Sequence, residues 1–360
     1  MEGVDARSVG LRVALVSRAR VAENFRILCG DGNAGMIVDL PADAFGHGLE
    51  EAAATLVDAG ARHFGVSRLR DAVRLRESGV TSQVTLWTPA PSDDLRIAAE
   101  LDIAIAVGSL AAFRSAVSSG ARSVWLSIGT APGVETLSHG DAVTLLLTLA
   151  AEATGAGLRV SLHLAGDGVD VLESMLAVAS DASVTIESLA TGLLEVPLPA
   201  RPDLGVPMLG RVGAEVFGLS ETLEPTTAAT RPALSLVATV IAVKDAPAGV
   251  GVSYGYTYRT RTDTRIALVP VGYGDGIDRS AGNTGQVLLG GVRYTIAGRV
   301  AMDASVLDIG AADVTVGDVV EVLGDPASGA PSAQDWGSWL GVPSAAIVSG
   351  LTARVERRWV

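Results

Sequence analysis

The stretch Ile37-Val38-Asp39-Leu40-Pro41-Ala42-Asp43-Ala44-Phe45-Gly46-His47-Gly48 opens on an apolar run. It then breaks into small, turn-forming residues just before an apolar-periodic helix that begins near Leu49. A buried strand ending ahead of a helix is the repeating unit of an α/β barrel, and barrel enzymes carry their chemistry at that end of the strand. Outward from this stretch, similar β-type runs alternate with amphipathic segments: Arg12–Ser17, Met36–Leu40, His63–Val66, Val84–Trp87, Ile103–Val107, Ser123–Ile128, Arg159–Leu164 and Val184–Glu187. Eight such units predict an α/β protein with a (β/α)8 TIM-type barrel over residues 11–230. A doubly wound open sheet is the other reading, but no Gly-x-Gly-x-x-Gly follows the first strand to support it.

From Ala233 the pattern changes to runs such as Leu234–Val243, Arg265–Val271, Gln286–Leu289, Ser305–Ile309 and Val319–Leu323, with Gly-rich turns and one helical segment near Ser332–Leu340. This predicts a mostly β C-terminal domain over 231–360, with residues 1–10 packing against it and the boundary in Thr222–Pro232.

The 360 residues are 48% apolar and 19% charged, enough for a sizeable core. A net charge of −13 argues against nucleic acid or an anionic membrane surface as partner. The single cysteine, Cys29, excludes an internal disulfide framework and fits a reducing cytoplasm. Met1–Asp5 does not read as a secretory leader, and no apolar run approaches the ~20 residues of a membrane helix. A cytoplasmic protein is expected. The chain has one lysine, Lys244, so only this side chain and the N-terminal amine are able to form an imine.

Ala42-x-Ala44-x-Gly46-His47-Gly48 resembles the signature of the alanine racemase family, in which a strand ends in Lys-Ala-x-Ala-Tyr-Gly-His-Gly and the lysine holds pyridoxal phosphate. Val252-Ser253-Tyr254-Gly255 and Gly272-Tyr273-Gly274-Asp275-Gly276 resemble the family's Ser-Tyr-Gly and Gly-Tyr-Ala-Asp-Gly, and Gly298-Arg299-Val300-Ala301-Met302-Asp303 its Gly-Arg-x-x-Met-Asp. Arg211-Val212-Gly213 resembles Arg-Pro-Gly. The resemblance covers nearly the whole chain. It implies a barrel followed by a β domain, and a head-to-tail homodimer in which each site joins one subunit's barrel to the partner's β domain. It also implies Tyr254 as a catalytic acid/base and Arg211 at the cofactor's ring nitrogen. His163 would face the cofactor, Ser188, Gly213 and Ala214 would lie at its phosphate, and Tyr273, Met302 and Asp303 would line the pocket and its mouth.

Against that pattern, Pro41 stands in the place of the lysine, and Phe45 and Ala353 in the places of two tyrosines that bind the phosphate. Ser127 replaces a lysine that orients the carboxylate-binding arginine, and Val134 stands nearest the place of that arginine. Each lost hydrogen bond to a charged group is worth roughly 1.5–3 kcal/mol. The expectation is therefore no cofactor and no metal, with a vestigial phosphate site and a roomier pocket bordered by Pro41, Phe45 and Ala353. The reaction expected is acid/base chemistry independent of pyridoxal phosphate, centred on Tyr254, Arg211 and His163. Isomerisation, epimerisation, elimination or cyclisation of a larger, more apolar biosynthetic intermediate of secondary metabolism would suit it. The alternatives are a catalytically silent pseudo-racemase that binds a partner, and a residual alanine racemase binding pyridoxal phosphate without a covalent link.

Overall fold

The first strand, β1 (Arg12–Val16), expected as the first strand of a barrel over 11–230, belongs instead to the sheet of the β unit. It pairs antiparallel with Leu234–Thr239 and parallel with Glu356–Trp359. The computed structural model describes residues 10–30, 35–129, 136–151, 157–166, 168–192, 203–219 and 230–360. Val134 and residues 222–229 of the expected boundary lie outside these. The chain falls into two units: a β unit with the chain up to Leu28, Ala42–Gly48 and Ala214–Val360, and a barrel unit of Cys29–Pro41 and Leu49–Gly213.

The barrel is closed and parallel. Its strands, in spatial order, are β2 (Met36–Asp39), β3 (His63–Val66), β4 (Gln83–Leu86), β5 (Ile103–Val107), β6 (Ser123–Gly129), β7 (Arg159–Ala165), β8 (Ile186–Gly192) and β9 (Met208–Val212), and β9 pairs back onto β2. The eighth strand is thus Met208–Val212, whose apolar run is interrupted by Gly210 and Arg211. Helices such as Leu49–Asp58, Leu69–Glu77 and Leu110–Ser118 follow the strands and bury one stripe each, for example Leu49, Ala52, Ala53 and Leu56. Cys29 is buried, and burial pushes its thiol up to about 11, which leaves it protonated and unreactive.

Pro41–Phe45 forms a left-handed turn, with φ of 50°, 59°, 56° and 53° at Ala42, Asp43, Ala44 and Phe45. Such a conformation costs roughly 1–2 kcal/mol per L-residue, so other bonds must hold it. Gly46 N–H donates to Ala42 O at 3.0 Å, Gly48 N–H to Asp43 O at 3.0 Å, and the buried His47 binds Ala44 O through Nδ1 at 2.9 Å.

In the β unit a six-stranded sheet runs in the order Val292–Thr295, Gln286–Leu289, Val319–Leu323, Leu234–Thr239, β1, Glu356–Trp359. Val13, Leu15 and Val237 form a buried cluster on it. A second antiparallel sheet has Thr264–Val269 between Ala242–Ala246 and Ser305–Gly310. The helix Ala333–Leu340 starts at a capping box, in which Ser332 and Asp335 each bind the other's backbone N–H.

Candidate active site

Residues two apart on a strand share a face, so the barrel interior can be built in layers. Ile37, Trp125 and Leu209 belong to the buried cluster inside the barrel, with Ala106 and Ala190. Two residues further along the same strands come Asp39, Ser127 and Arg211. An apolar floor is therefore topped by a polar layer near the C-terminal ends of the strands, where barrels carry their chemistry. His163 joins this layer from β7, paired in register with Ser127 on β6 and Ala190 on β8.

The polar layer is one connected network. Arg211 donates through Nε to Asp39 Oδ2 at 3.0 Å, and its Nη2 lies 2.8 Å from the same oxygen. Its Nη1 bonds His163 Nε2 at 2.7 Å, and His163 Nδ1 bonds Ser127 Oγ at 2.8 Å. The indole of Trp87 donates to Asp39 Oδ1 at 2.6 Å, while the Arg211 guanidinium sits 3.9 Å from the centre of its ring, a cation–π contact. Gly65 makes this arrangement possible, because a Cβ there would overlap both Asp39 Oδ1 and Trp87 Nε1. Burial, reinforced by the adjacent Arg211 cation, lowers the His163 pKa to about 3, so its imidazole is neutral near pH 7.

Beside the network lies a cavity of about 500 Å³, lined by Trp87, Ser109, Ser127, His163 and Arg211 together with the loops after β4 and β5. Of the residues singled out in the sequence, His163 and Arg211 meet here. Ser127, read there as a loss, stands with them. Pro41 follows β2 and is half-buried, and it brings no amine to the barrel mouth. Ser188 is half-buried on β8, and neither it nor Gly213 lines the cavity. Asp39 and Trp87 were not singled out as site residues. The available signal was an acid at the end of an otherwise apolar strand, a position that needs a buried partner.

The remaining residues lie in the β unit. Phe45 packs on Phe217 with ring centres 6.0 Å apart, and Ala214 opens the short 3-10 turn Ala214–Phe217. Tyr254 is 67% exposed, in a turn flanked by Ser253 at φ 60° and Gly255 at φ 73°. Tyr273 and Met302 are brought together by backbone bonds from Tyr273 N to Ala301 O and from Gly274 N to Met302 O. Asp303 pairs with Arg354, next to the exposed Ala353. Arg354 also meets the buried Asp275, which contacts Arg12 at 2.9 Å and accepts from Gly272 N. The Arg12–Asp275 pair is a contact of charges, without the alignment of a hydrogen bond.

Residues 16–165 match the family described as alanine racemase, N-terminal domain, and residues 233–359 match alanine racemase, C-terminal domain. The alanine racemase of Salinispora arenicola is 35% identical over 369 residues, covering 94% of this chain and 95% of its own. The chain belongs to the alanine racemase family. The alanine racemase of Frankia casuarinae is 34% identical over 353 residues, covering 91% of each chain. Among solved structures, the alanine racemase of a D-cycloserine-producing Streptomyces lavendulae superposes with a TM-score of 0.88 at 28% identity, covering 98% of this chain and 97% of that one. That of Streptomyces coelicolor has a TM-score of 0.87 at 29% identity, covering 99% and 100%.

These relatives overturn two expectations drawn from the sequence. The first is a reaction on an apolar intermediate without pyridoxal phosphate, together with its silent-scaffold alternative. Matches along almost the whole chain carry the name alanine racemase. The second is the absence of any cofactor, which conflicts with a family of pyridoxal phosphate-dependent enzymes. Pro41, Phe45 and Ala353 lack the amine and the two hydroxyls of the family pattern, and the polar layer of the barrel is built without those positions. The donor set there suits an anionic group. Asp39 and His163 accept two of the five N–H groups of the Arg211 guanidinium, and its Nη2 also lies against the Asp39 carboxylate. The chain's one lysine, Lys244, lies on Ala242–Ala246 in the β unit and is not among the residues that line the cavity.

Proposed function

We propose that this chain is an alanine racemase that takes pyridoxal phosphate as a dissociable group in the barrel cavity. The observation that carries the reading is the cavity at the C-terminal ends of the barrel strands, with Arg211, His163 and Trp87 in one hydrogen-bonded constellation. When bound, pyridoxal phosphate supplies the electron-withdrawing ring that makes the α-proton of an amino acid removable. Trp87 and Arg211 would hold it, with the Asp39 carboxylate fixing the guanidinium plane so that its N–H groups point in constant directions. His163, neutral and buried, adds no charge that would attract a competing anion. Tyr254 is the proton-moving hydroxyl of this reading.

Two copies assemble head to tail, as the resemblance implies. Supporting this are large side chains exposed in the β unit, Tyr254 and Tyr256 on one turn and Tyr273 and Met302 on backbone-paired segments, which a partner would cover. Among the described residues no helix is long and apolar enough to cross a membrane, and the reading takes the enzyme as cytoplasmic.

The test incubates purified protein with L-alanine, with and without added pyridoxal phosphate, and measures D-alanine by chiral chromatography. Racemisation should require the added cofactor, vanish on dialysis and be lost in Tyr254→Phe, and borohydride should leave no adduct on the chain. No D-alanine at saturating pyridoxal phosphate would overturn the reading.

A further inference from the structure

The directions of the hydrogen bonds in the barrel carry information that their distances alone do not. A guanidinium only donates and keeps its proton at any ordinary pH. The 2.7 Å contact of Arg211 Nη1 with His163 Nε2 therefore makes Nε2 the acceptor. A neutral imidazole with a bare Nε2 carries its proton on Nδ1, so the 2.8 Å bond to Ser127 runs from Nδ1–H to Oγ. Ser127 thus spends a lone pair on His163 and keeps its own proton. Among the described residues that proton meets no acceptor, although Ser127 is 92% buried. A buried hydroxyl proton needs a partner, and the cavity that Ser127 lines is where one would come from.

We infer that the relay from Asp39 through Arg211 and His163 fixes Ser127 as a one-way donor into the cavity, so that Ser127 and Arg211 form a subsite for an oxyanion. The ligand chemistry is a small carboxylate or phosphate group, either of which accepts from both donors. Because Asp39 already balances the Arg211 charge, selection rests on the placement of the donors more than on net charge. A ligand that presents a donor instead meets two donors and is rejected. Apolar wall from Trp87 on one side keeps water from competing for the same hydrogen bonds. Ser127 touches the ligand directly, and His163 is the positioning residue that sets its direction. The inference concerns binding in the cavity and goes beyond the racemase reading, which does not require it.

The experiment has two readouts. Nitrogen-15 spectra of the imidazole side chains should show His163 as the Nδ1–H tautomer, and an Nε2–H tautomer would overturn the relay. Calorimetry on the full chain, free of added cofactor, then measures sodium propionate and inorganic phosphate at low ionic strength. Binding of propionate alone assigns the subsite to a carboxylate, of phosphate alone to a phosphate group, and mutual displacement assigns both to one place. Ser127→Ala should weaken binding at least tenfold. His163→Leu should do the same, whereas His163→Gln, which keeps one acceptor and one donor on a flat group, should recover most of it. Thermal unfolding of each variant separates loss of the subsite from loss of the fold. Binding of neither anion, or equal affinity in Ser127→Ala and the native chain, would overturn the inference. Racemisation without anion binding would leave only the racemase reading standing, and anion binding without racemisation only the subsite.

Discussion

At the scale of single residues, the barrel mouth depends on a place where nothing projects. Asp39, Trp87 and Arg211 converge because residue 65 has no side chain. Gly65→Ala should push the Asp39 carboxylate or the indole out of place, and overpacking of this kind costs about 1–3 kcal/mol or somewhat more. The expected result is a lower urea midpoint, with altered tryptophan fluorescence as Trp87 loses its bond to Asp39. Unchanged stability and spectrum would mean that the network tolerates a shift there. In the β unit, the carboxylate of Asp275 lies between Arg12 and Arg354 and also accepts from Gly272 N. Asp275→Asn keeps the shape and removes the charge. The loss should be no more than about 3 kcal/mol, the low end for a broken buried pair, because Arg354 reaches solvent. Urea unfolding measures it directly.

At the scale of elements, the left-handed turn after β2 is the part most easily misjudged from sequence. Small residues at 42 and 44 and glycines at 46 and 48 announce a break, but four consecutive non-glycine residues at positive φ are held by His47, which looks like any buried histidine. Its ring stacks on Phe217 at 4.2 Å, and Nδ1 anchors Ala44 O. His47→Ala removes both the anchor and the stacked ring, and should cost about 2–4 kcal/mol, between the loss of a buried hydrogen bond and that of a large core side chain. Thermal unfolding tests this, and a change below ~1 kcal/mol would mean that the backbone bonds alone hold the turn. The strands show a complementary limit. Runs such as Val319–Leu323 are legible residue for residue, whereas Met208–Val212 is hidden by Gly210 and Arg211. Arg12–Val16 reads as a strand but not as one of which sheet, since pairing depends on segments more than two hundred residues away. The site was legible in the same uneven way. His163 and Arg211 stand out as polar residues in apolar runs. Asp39 and Trp87 do not reveal that they face inward, because both faces of a parallel barrel strand are buried and no alternation separates them.

At the scale of the whole molecule, the two units differ in how they should respond to acid. His47 belongs to the β unit, and burial lowers its pKa to about 4. His163 and His63 belong to the barrel unit, the first lowered to about 3 and the second lowered by burial as well. In the unfolded chain each would titrate near 6.5. Between about pH 6.5 and the folded value, unfolding takes up protons, so stability is complete above that window and is lost as the pH falls through it. Each fully shifted histidine adds a slope of about 1.4 kcal/mol per pH unit there. Urea unfolding at pH 7.5, 6.0 and 5.0, followed by hydrogen exchange at amides of β6 and of Leu234–Thr239, reads the two units separately. His163→Gln should flatten the pH dependence of the β6 amides and leave that of Leu234–Thr239 unchanged, while His47→Asn should do the reverse. Equal flattening in both places would mean that the two units unfold as one, and would move the acid response from individual histidines to the molecule as a single cooperative body.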